Sequence, residues 1–503
     1  MEMNALYKGD LREIKLDKLE KIKALGINPY PTNYDRTHYT SEIIDQFEVF
    51  EQSKEYVAVA GRILSLRRMG KALFCHIRDG KGKIQIYVRS DKVPPVQFEL
   101  MALVDIGDFI GVKGVVFKTK TGEITVAAED VQLLSKTLLP LPIVKTEEID
   151  GKTIVYDAFT DVELRYRRRY LDLAVNPEQK DIFVKRANVI SAMRRFLEGK
   201  EYVEVETPVL QPIYGGANAR PFKTHHNALD IELYLRIADE LYLKRLIVGG
   251  FEGVFEISKD FRNEGIDRLH NPEFTMMELY VAYKNYQFMM RLVEEMVSFI
   301  AQEVTGSFLV TYQGQPIDLT PPWERLTMYG AIKRYIGYDV AAADYEKLKA
   351  IAKDLGLEVE SFWGTGKIIA ELYSEFVEKN LKGPVFIIDF PREVSPLAKM
   401  NQSDTSLVER FEAVIAGFEL ANAYSELNDP IEQKQRFLEQ MARRKLGDEE
   451  AQVLDEDYVM ALEYGMPPTT GLGVGIDRLA MLLTDTTSIR DIILFPQMKP
   501  RSD

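Results

Sequence analysis

FEISKDFRNEGIDRLHNPEFTMMELYVAY, residues 255–283, is the stretch that decides the fold of this chain. Polar and apolar side chains alternate over residues 254–262 and again over 273–281, and Gly265 and Pro272 lie between the two runs. A period of two is typical of strands, and the polar segment between them can turn the chain back. The sequence therefore predicts two antiparallel strands joined by a loop.

The second of these strands has two chemically different faces. One face carries Phe274, Met276, Glu278 and Tyr280, and the opposite face carries Thr275, Met277, Leu279 and Val281. Because successive side chains of a strand point to opposite sides, the two sets are kept apart. The face with Glu278 and Tyr280 is either wet or the floor of a ligand site, whereas the other suits a core.

An arginine at the end of the first strand changes the interpretation of the loop. The tripeptide Arg-Asn-Glu alone is most often a surface salt bridge. Here Arg262 precedes a loop with Arg268 and His270, and the aromatic Phe274 begins the next strand. Arginine presents a planar fork that binds phosphate oxygens in pairs. The combination indicates a receptor for a phosphate group and a base.

A second candidate segment lies near the C-terminus, in GLGVGIDRLAMLL (471–483). We interpret its three glycines, 471, 473 and 475, as a turn that lets backbone approach a ligand, and Asp477 and Arg478 as the start of a helix. No Gly-Lys-Ser/Thr follows, so the segment is not a P-loop. It also fits a dinucleotide fingerprint poorly, because an arginine stands where close packing needs a small residue.

A third segment, RFEAVIAGFELANAYSELNDP (410–430), is rich in polar residues. Glu412 and Glu419 are candidates for holding magnesium against phosphates. Their odd spacing puts them on opposite faces of a regular strand, so a bulge or twist near Gly417 is required. Asn422, Tyr424 and Glu426 alternate and form a second polar cluster.

The order of these patterns predicts an α+β protein of several domains. Residues 10–26 have the spacing of an amphipathic helix, and five short alternating segments between 56 and 135 predict a barrel of the OB type. We expect a helical extension (1–55), the barrel (56–140), a linker (141–175) and a large domain (176–503) with a helical insertion at about 325–382.

Composition narrows the classes of function. The net charge of −14 argues against a protein that coats nucleic acid, but residues 56–92 hold nine Lys and Arg against two Asp, a local charge of +7. A second basic run follows at 165–169. The single cysteine excludes a disulfide framework and a cysteine-rich zinc site. No apolar run approaches a membrane span, and we expect a cytoplasmic protein.

At this point the motifs resemble those of class II aminoacyl-tRNA synthetases. VEVETPVL (203–210) is similar to motif 1, FRNE with HNPEFTMMEL (261–264 and 270–279) to motif 2, and GLGVGIDR (471–478) to motif 3. Within that class GGANARPFKTHHNALD, LYLRIADELYLKRLIVGGFE and YSELNDP resemble bacterial lysyl-tRNA synthetases. The chain departs from that family at Ala421 and Ala423, where glycines are usual, and in a longer linker after Pro142.

The resemblance implies an enzyme that activates L-lysine with ATP and Mg²⁺, charges tRNA(Lys) and works as a homodimer. It implies an antiparallel-sheet catalytic domain behind an OB-fold that binds the anticodon through Arg62, Phe74 and Gln85. Phe74 has an alternative role as a core residue of the barrel. Magnesium would be held by Glu412 and Glu419.

The same resemblance implies roles around the substrates. Arg262 would bind the α-phosphate and the lysine carboxylate, and Arg478 is the second catalytic arginine. The implied ATP-binding residues are Arg262, Glu264, His270, Asn271, Phe274, Glu412 and Arg478. The implied lysine-binding residues are Gly216, Glu240, Arg262, Glu278, Tyr280, Asn422, Tyr424 and Glu426. Glu240, Glu278 and the Gly216 carbonyl would take the α-ammonium, and Glu426 with Tyr280 the ε-ammonium.

Three alternatives remain at this stage. A related enzyme lysylates an elongation factor instead of tRNA, but that family lacks the N-terminal barrel. An aspartyl or asparaginyl synthetase would need a basic residue where Glu426 stands. A non-catalytic nucleic-acid-binding protein with a decayed synthetase domain should first lose the charged residues, and Arg262, Glu264 and Arg478 are all retained.

Overall fold

The chain forms two compact units, Met1–Thr160 and Asp161–Asp503. The computed structural model describes residues 10–142, 145–149, 152–156, 159–448 and 450–500. Residues 1–9 of the expected helical extension, and 143–144, 150–151 and 157–158 of the expected linker, therefore lie outside the described residues. None of the described helices is long and apolar enough to cross a membrane.

The first unit is built on a closed five-stranded barrel with the strand order β1-β2-β3-β5-β4, which confirms the OB-type prediction. Its strands are β1 Tyr56–Met69, β2 Ala72–Arg78, β3 Lys83–Arg89, β4 Phe109–Lys118 and β5 Ile124–Ser135. Its helices are α1 Asp10–Ala24, α2 Thr40–Asp45, α3 Phe47–Ser53 and α4 Pro95–Leu103, and a hairpin follows with β6 Lys145–Ile149 and β7 Lys152–Tyr156. Alternate apolar side chains of the barrel strands fill its interior.

The second unit is organised by one eight-stranded mixed sheet with the order β16-β17-β18-β19-β20-β13-β12-β8. The strands of the whole second unit are β8 Val203–Glu204, β9 Leu210–Gln211, β10 Lys223–His226, β11 Ile231–Leu235, β12 Gly253–Phe261, β13 Glu273–Ala282, β14 Leu309–Tyr312, β15 Gln315–Asp318, β16 Glu324–Thr327, β17 Val385–Pro391, β18 Leu407–Ile415, β19 Phe418–Ser425 and β20 Thr469–Gly475. The two strands predicted from residues 255–283 are β12 and β13, paired antiparallel from Gly253–Val281 to Phe261–Glu273.

Helices cover this sheet. They are α5 Val162–Arg167, α6 Arg169–Val175, α7 Gln179–Glu198, α8 Glu240–Val248, α9 Tyr286–Thr305, α10 Met328–Ile336, α11 Tyr345–Asp354, α12 Thr365–Phe376, α13 Pro430–Lys445, α14 Glu456–Glu463, α15 Ile476–Thr484 and α16 Ile489–Ile492, with 3₁₀ turns at Glu378–Asn380 and Arg392–Val394. The helix α9 packs its buried face on one side of the sheet, where it closes the main core.

Two segments differ from the sequence interpretation. The helices α5 and α6 belong to the second unit, which begins at Asp161, rather than to a linker that ends at 175. Two arginines of the basic run 165–169 form ion pairs within this unit. Arg165 and Arg169 both bind the buried Asp172, at 2.8 and 2.9 Å. Within the expected helical insertion lie the three helices α10, α11 and α12, and at its start β16 pairs with β17 and extends the sheet.

A buried ion pair ties β4 to the end of β5 in the barrel. Asp108 and Lys136 are both buried, and their charged atoms lie 2.9 Å apart. Asp108 also accepts hydrogen bonds from the backbone and hydroxyl of Thr137, at 2.8 and 2.7 Å. Removing Asp108 would leave Lys136 with Asp105 alone, 2.6 Å away, and the Thr137 donors without their acceptor, and a buried charge that loses a partner is destabilising.

We expect Asp108→Ala to lower the free energy of opening of the barrel by about 3 kcal/mol. The measurement is hydrogen exchange of peptides from β1–β5 in the full chain. Asp91→Ala is the control, because Asp91 forms an exposed pair with Arg89 at 2.6 Å, and it should cost at most about 0.5 kcal/mol. Equal losses for the two variants would contradict the assignment.

Candidate active site

A cavity of about 410 Å³ opens on one face of the large sheet. The predicted ligand face of β13 lines it, with Phe274, Met276, Glu278 and Tyr280 all exposed to the cavity. The opposite side chains Met277, Leu279 and Val281 are buried in the main core. This strand therefore has one face on the cavity and the other largely in the core, although Thr275 of the predicted core face also lines the cavity. Ligand binding at the cavity face stays a prediction.

The glycine-rich segment is a strand, not the turn we expected. Residues 469–475 form β20 between β19 and β13, with Gly471 opposite Tyr280 on one side and Tyr424 on the other. The glycines alternate with Leu472 and Val474, which enter the core. A strand whose glycines share one face presents bare backbone to the cavity, which sequence reasoning about turns did not consider.

Glu412 and Glu419 reach the same cavity through a bulge near Gly417, one of the two features that their odd spacing required. They lie on two antiparallel strands, β18 and β19, joined by a tight reversal at Ala416 (φ 56°) and Gly417 (φ 80°). The register shifts between Ala413 and Val414, so that one extra residue of β19 is accommodated. The reversal with this bulge, rather than a twist in one strand, brings both carboxylates to the cavity.

These carboxylates lie in a strongly acidic environment. Burial, followed by the charge of Glu419, raises the pKa of Glu378 to about 7. Burial also raises the pKa of Glu412 to about 8, against the lowering effect of Arg410, whose guanidinium lies 2.6 Å away. No group of three or more His, Cys, Asp or Glu side chains in the described parts of the chain is arranged to hold a metal by itself.

The predicted phosphate-and-base residues gather at one end of the cavity. The guanidinium of Arg262 lies 5.0 Å from the ring centre of Phe274. Arg478 donates to the Glu419 carbonyl at 2.6 Å, and its other terminal nitrogen lies 3.2 Å from His270 Nε2. Asp267 orients the other ring nitrogen of His270 at 2.8 Å. Arg262 and Arg478 thus both lie at this end of the cavity.

Two further residues of the prediction line the same end. The exposed carboxylate of Glu264 accepts from the backbone of Arg220 at 3.4 Å. Asn271 donates its amide to the Glu273 carbonyl at 2.6 Å, while its buried Oδ1 has no hydrogen-bond partner among the described residues. An orphaned acceptor in a cavity wall is suited to a ligand donor.

Acidic and phenolic groups occupy the other end. Tyr424 donates to Glu240 at 2.6 Å and Tyr280 to Glu278 at 3.1 Å. Burial is the main reason that the pKa of Glu426 rises to about 8. Its Oε2 contacts a buried lysine, and its Oε1 lies against Gly471, whose backbone N–H lowers the pKa of the carboxyl. Neither oxygen accepts from a neutral side chain in the described structure.

Backbone without side chains makes room for this acidic end. A Cβ on Gly471 would lie 2.2 Å from Glu426 Oε1 and 2.4 Å from the ring of Tyr280. Gly216 has a φ of +87°, and a Cβ there would lie 3.0 Å from Glu240 Cβ. Asn422 faces the same cavity and accepts from Arg410 at 3.1 Å.

Three residues that organise the site were missed by the sequence interpretation. Lys244 contacts both Glu240 and Glu426 from within the protein. Arg410 links Asn422 to Glu412. Asp477 accepts from the backbone of Thr275 at 2.8 Å and from Arg186, which holds β13 against α15. The four-residue spacing of Glu240 and Lys244 on a predicted helix was the one available signal.

The two alanines that depart from the family pattern do not face the site. Ala421 and Ala423 are buried in the main core, on the side of β19 opposite Asn422 and Tyr424. Their methyl groups therefore add to packing beneath the sheet and leave the shape of the cavity unchanged.

The barrel carries its own candidate surface. Phe74 alternates with the buried Leu73 and Cys75 and faces outward, where its ring stacks on Tyr87 at 4.6 Å between centres. Gln85 bonds Glu123 at 2.6 Å on the same face. Arg62 is partly held, because it donates to the Gly107 carbonyl at 3.1 Å. The alternative of Phe74 as a core residue is therefore wrong.

Comparison with known proteins finds a matching family model for each of the two units. Residues 161–499 match the family model of class II tRNA synthetases (D, K and N), and residues 57–134 match that of the OB-fold nucleic acid binding domain. The chain is 54% identical over 495 residues to the lysine–tRNA ligase of Pelotomaculum thermopropionicum, covering 98% of this chain and 95% of that protein. It is 53% identical over 495 residues to that of Moorella thermoacetica, covering 98% and 99%.

Gly471→Ala tests the packing at the acidic end. The added methyl must displace the Glu426 carboxylate or the Tyr280 ring, and overpacking of this kind costs about 1–3 kcal/mol. In Gly473→Ala, the control, the nearest atom is the flexible end of Met276 at 3.2 Å. We expect thermal unfolding to show the larger loss for Gly471→Ala, and the reverse order would contradict the geometry.

Proposed function

This chain belongs to the lysine–tRNA ligase family of the class II tRNA synthetases, and we infer that it attaches L-lysine to tRNA(Lys) at the expense of ATP. The observation that carries the choice of lysine is a group of buried carboxyls at one cavity. Glu240 and Glu278 line it, and Oε1 of the buried Glu426 lies against Gly471 in its wall. A buried acceptor of this charge favours a ligand with a distal ammonium group.

The reaction needs alignment and charge neutralisation rather than a protein nucleophile. The lysine carboxylate attacks the α-phosphorus of ATP, and the bond to pyrophosphate breaks as the mixed anhydride forms. A terminal ribose hydroxyl of the tRNA then attacks the lysyl carbonyl and AMP leaves. We assign Arg262 to the α-phosphate and the lysine carboxylate, which its place in the cavity lining beside Phe274 supports.

The nucleotide end has groups for each part of ATP. We propose that adenine stacks between Phe274 and Arg478, with Glu264 accepting from its amino group and the free Oδ1 of Asn271 accepting a further donor of the nucleotide. The contact of Arg478 with His270 supports a shared role at the terminal phosphate, because the pair is already oriented by Asp267. Arg262 and Arg478 are the catalytic arginines of this proposal.

The acidic end is assigned to lysine. Glu240, Glu278 and the Gly216 carbonyl would take the α-ammonium, and Asn422 would lie at the carboxylate. Glu426 and Tyr280 would take the ε-ammonium, and Tyr424 would support Glu240 through its 2.6 Å hydrogen bond. These contacts would pair every charge of the substrate with an opposite charge or a dipole.

Magnesium fits Glu412 and Glu419 as a companion of ATP. Burial, and then the charge of Glu419, raise the pKa of Glu412, although Arg410 lowers it. A cation between the two carboxyl groups would therefore be favourable. When bound, the ion would neutralise phosphate charge, with the phosphates supplying the ligands that two carboxylates do not. Glu378 lies close enough to raise the same pKa and so adds to the demand for a cation.

We propose that the barrel binds the anticodon and that two chains form the enzyme. Phe74 would stack on an unpaired base, with Arg62 and Gln85 at its edge.

Four exposed apolar residues lie on or after the edge strand β8 and support a dimer interface there: Val203, Val209, Leu210 and Ile213, with exposures of 46, 40, 48 and 40%. Since its tRNA and ATP are cytoplasmic, we place the enzyme in the cytoplasm.

Exchange of pyrophosphate with ATP, measured across the standard amino acids, tests the function. We expect exchange with lysine. Exchange with aspartate or asparagine instead would favour the related synthetases, and no exchange with any amino acid would favour a decayed enzyme. Transfer of lysine to an elongation factor but not to tRNA would identify the remaining alternative.

Glu426→Gln should raise the lysine KM at least about a hundredfold, because the variant loses a charged hydrogen bond and leaves the ε-ammonium buried without its counter-charge. The KM for ATP should stay within about twofold, since Glu426 lies at the opposite end of the cavity from Phe274. Pyrophosphate exchange at saturating ATP measures the first value. An unchanged lysine KM would refute the assignment of Glu426.

Phe74→Ala should lower kcat/KM for tRNA(Lys) about tenfold or more, because stacking of a base on an aromatic ring contributes about 1–3 kcal/mol. Lysine-dependent pyrophosphate exchange without tRNA should be unchanged. Tyr56→Ala is the matched control, since Tyr56 is an exposed aromatic of β1 whose hydroxyl is engaged by Glu129 at 2.8 Å. Equal effects of both variants on aminoacylation would contradict the assignment.

A further inference from the structure

Lys244 places a resident ammonium group inside the acidic end of the cavity. It lies one helical turn after Glu240 on α8, and its side chain is fully buried. Its Nζ contacts Glu240 Oε1 and Glu426 Oε2. The rings of Tyr280, Tyr424 and Tyr458 surround it, with centroids at 5.9, 5.5 and 5.8 Å. This arrangement is a closed cation cage.

The charges of this end balance only when Lys244 is counted. Glu240, Glu278 and Glu426 are three carboxylates, and the Lys244 ammonium reduces their sum to two negative charges. Lysine carries two ammonium groups, while its carboxylate is assigned to Arg262. A pocket with three uncompensated buried carboxylates would instead hold one more negative charge than the substrate can neutralise.

The two oxygens of the Glu426 carboxyl have different neighbours. Oε2 contacts Lys244, whereas Oε1 lies against the backbone of Gly471 and has no side-chain partner in the described structure. A substrate ammonium at Oε1 therefore does not need the position that Lys244 occupies. Burial lowers the pKa of the Lys244 ammonium, but Glu240 and Glu426 outweigh that effect and raise it, so the group stays charged.

We propose that Lys244 is a permanent counter-ion of the lysine pocket, which stays between Glu240 and Glu426 when lysine binds and leaves Glu426 Oε1 for the ε-ammonium. Lys244 is thus a positioning residue that sets the charge the pocket accepts. The inference rests on the proposed function, since it assumes that lysine is the ligand of this cavity.

In the alternative arrangement, Lys244 is a stand-in: it occupies the place of a substrate ammonium group in the empty pocket, and the substrate displaces it. Its ammonium would then have to leave two carboxylates and three aromatic rings, and the fully buried side chain has no described route to solvent. The two arrangements predict opposite effects when the charge of Lys244 is removed, because a counter-ion assists binding whereas a stand-in competes with it.

Lys244→Met tests the proposal by pyrophosphate exchange. It keeps an unbranched side chain but removes the ammonium, so Glu240 and Glu426 repel each other and no longer offer an ordered acceptor. We expect the lysine KM to rise at least about tenfold, with kcat and the KM for ATP changing less than about threefold. An unchanged or lower lysine KM would overturn the proposal.

Arg245→Met is the matched control for this experiment. Arg245 is the next cation of α8 and also lies near the ring of Tyr458, at 5.6 Å, but it pairs with Asp455 and Asp457, at 2.8 and 3.1 Å, and not with the carboxyls of the pocket. Its lysine KM should stay within about twofold of the wild type. A wild-type enzyme without lysine-dependent exchange would refute the proposed function itself, and so that failure is distinguishable from failure of the counter-ion.

A crystal structure of the wild-type enzyme with L-lysine bound decides the question even if Lys244→Met does not fold. The proposal expects the Lys244 Nζ to remain in contact with both Glu240 and Glu426, with the substrate ε-ammonium on Glu426 Oε1. A Lys244 side chain displaced from either carboxylate would overturn it.

Discussion

Burial of three carboxylates in one cavity is the constraint on which the rest of the second unit depends. An ionised carboxylate loses several kcal/mol of hydration when it leaves water, and Glu240, Glu278 and Glu426 are all buried. The protein compensates with Lys244 and with phenolic hydroxyls from Tyr280 and Tyr424. One ammonium group for three carboxyl groups leaves the pocket short of positive charge, and we propose that this shortage selects a diammonium ligand.

A second buried layer continues the same pattern beneath the cavity. Arg236 lies 2.6 Å from Glu256, 3.0 Å from Asp239 and 3.5 Å from Asp260. Burial, followed by the charge of Asp260, raises the pKa of Asp239 to about 8. Burial and then Asp239 raise the pKa of Glu278 as well. Three carboxyl groups thus share the one guanidinium of Arg236 behind the pocket.

The sheet itself was largely predictable, because its signals are local. Alternation over 254–262 and 273–281 identified β12 and β13, and period two correctly separated Glu278 from Met277. Alternation also located the five barrel strands, although Phe74 needed the structure to place it outside. The glycine-rich strand was misjudged because glycine has no side chain with which to show a period, and its pairing partners are distant in sequence.

Long-range electrostatics could not be predicted in the same way. The contact of Lys244 with Glu426 joins residues 182 positions apart in the sequence, and only folding brings them together. The reversal at Ala416 and Gly417 brings Glu412 and Glu419 to the same cavity. It depends on a register shift that no single residue of the sequence indicates. Such features follow from how β18, β19 and β20 pair, not from composition.

Calorimetric titration of the full chain with L-lysine and with L-norleucine tests the central claim most directly. Norleucine has the same α-ammonium and carboxylate and a chain of similar length, but it lacks the ε-ammonium. The account predicts that norleucine binds at least about a hundredfold more weakly, because Glu426 would be buried without a partner. Equal affinities for the two amino acids would contradict the assignment of the acidic end.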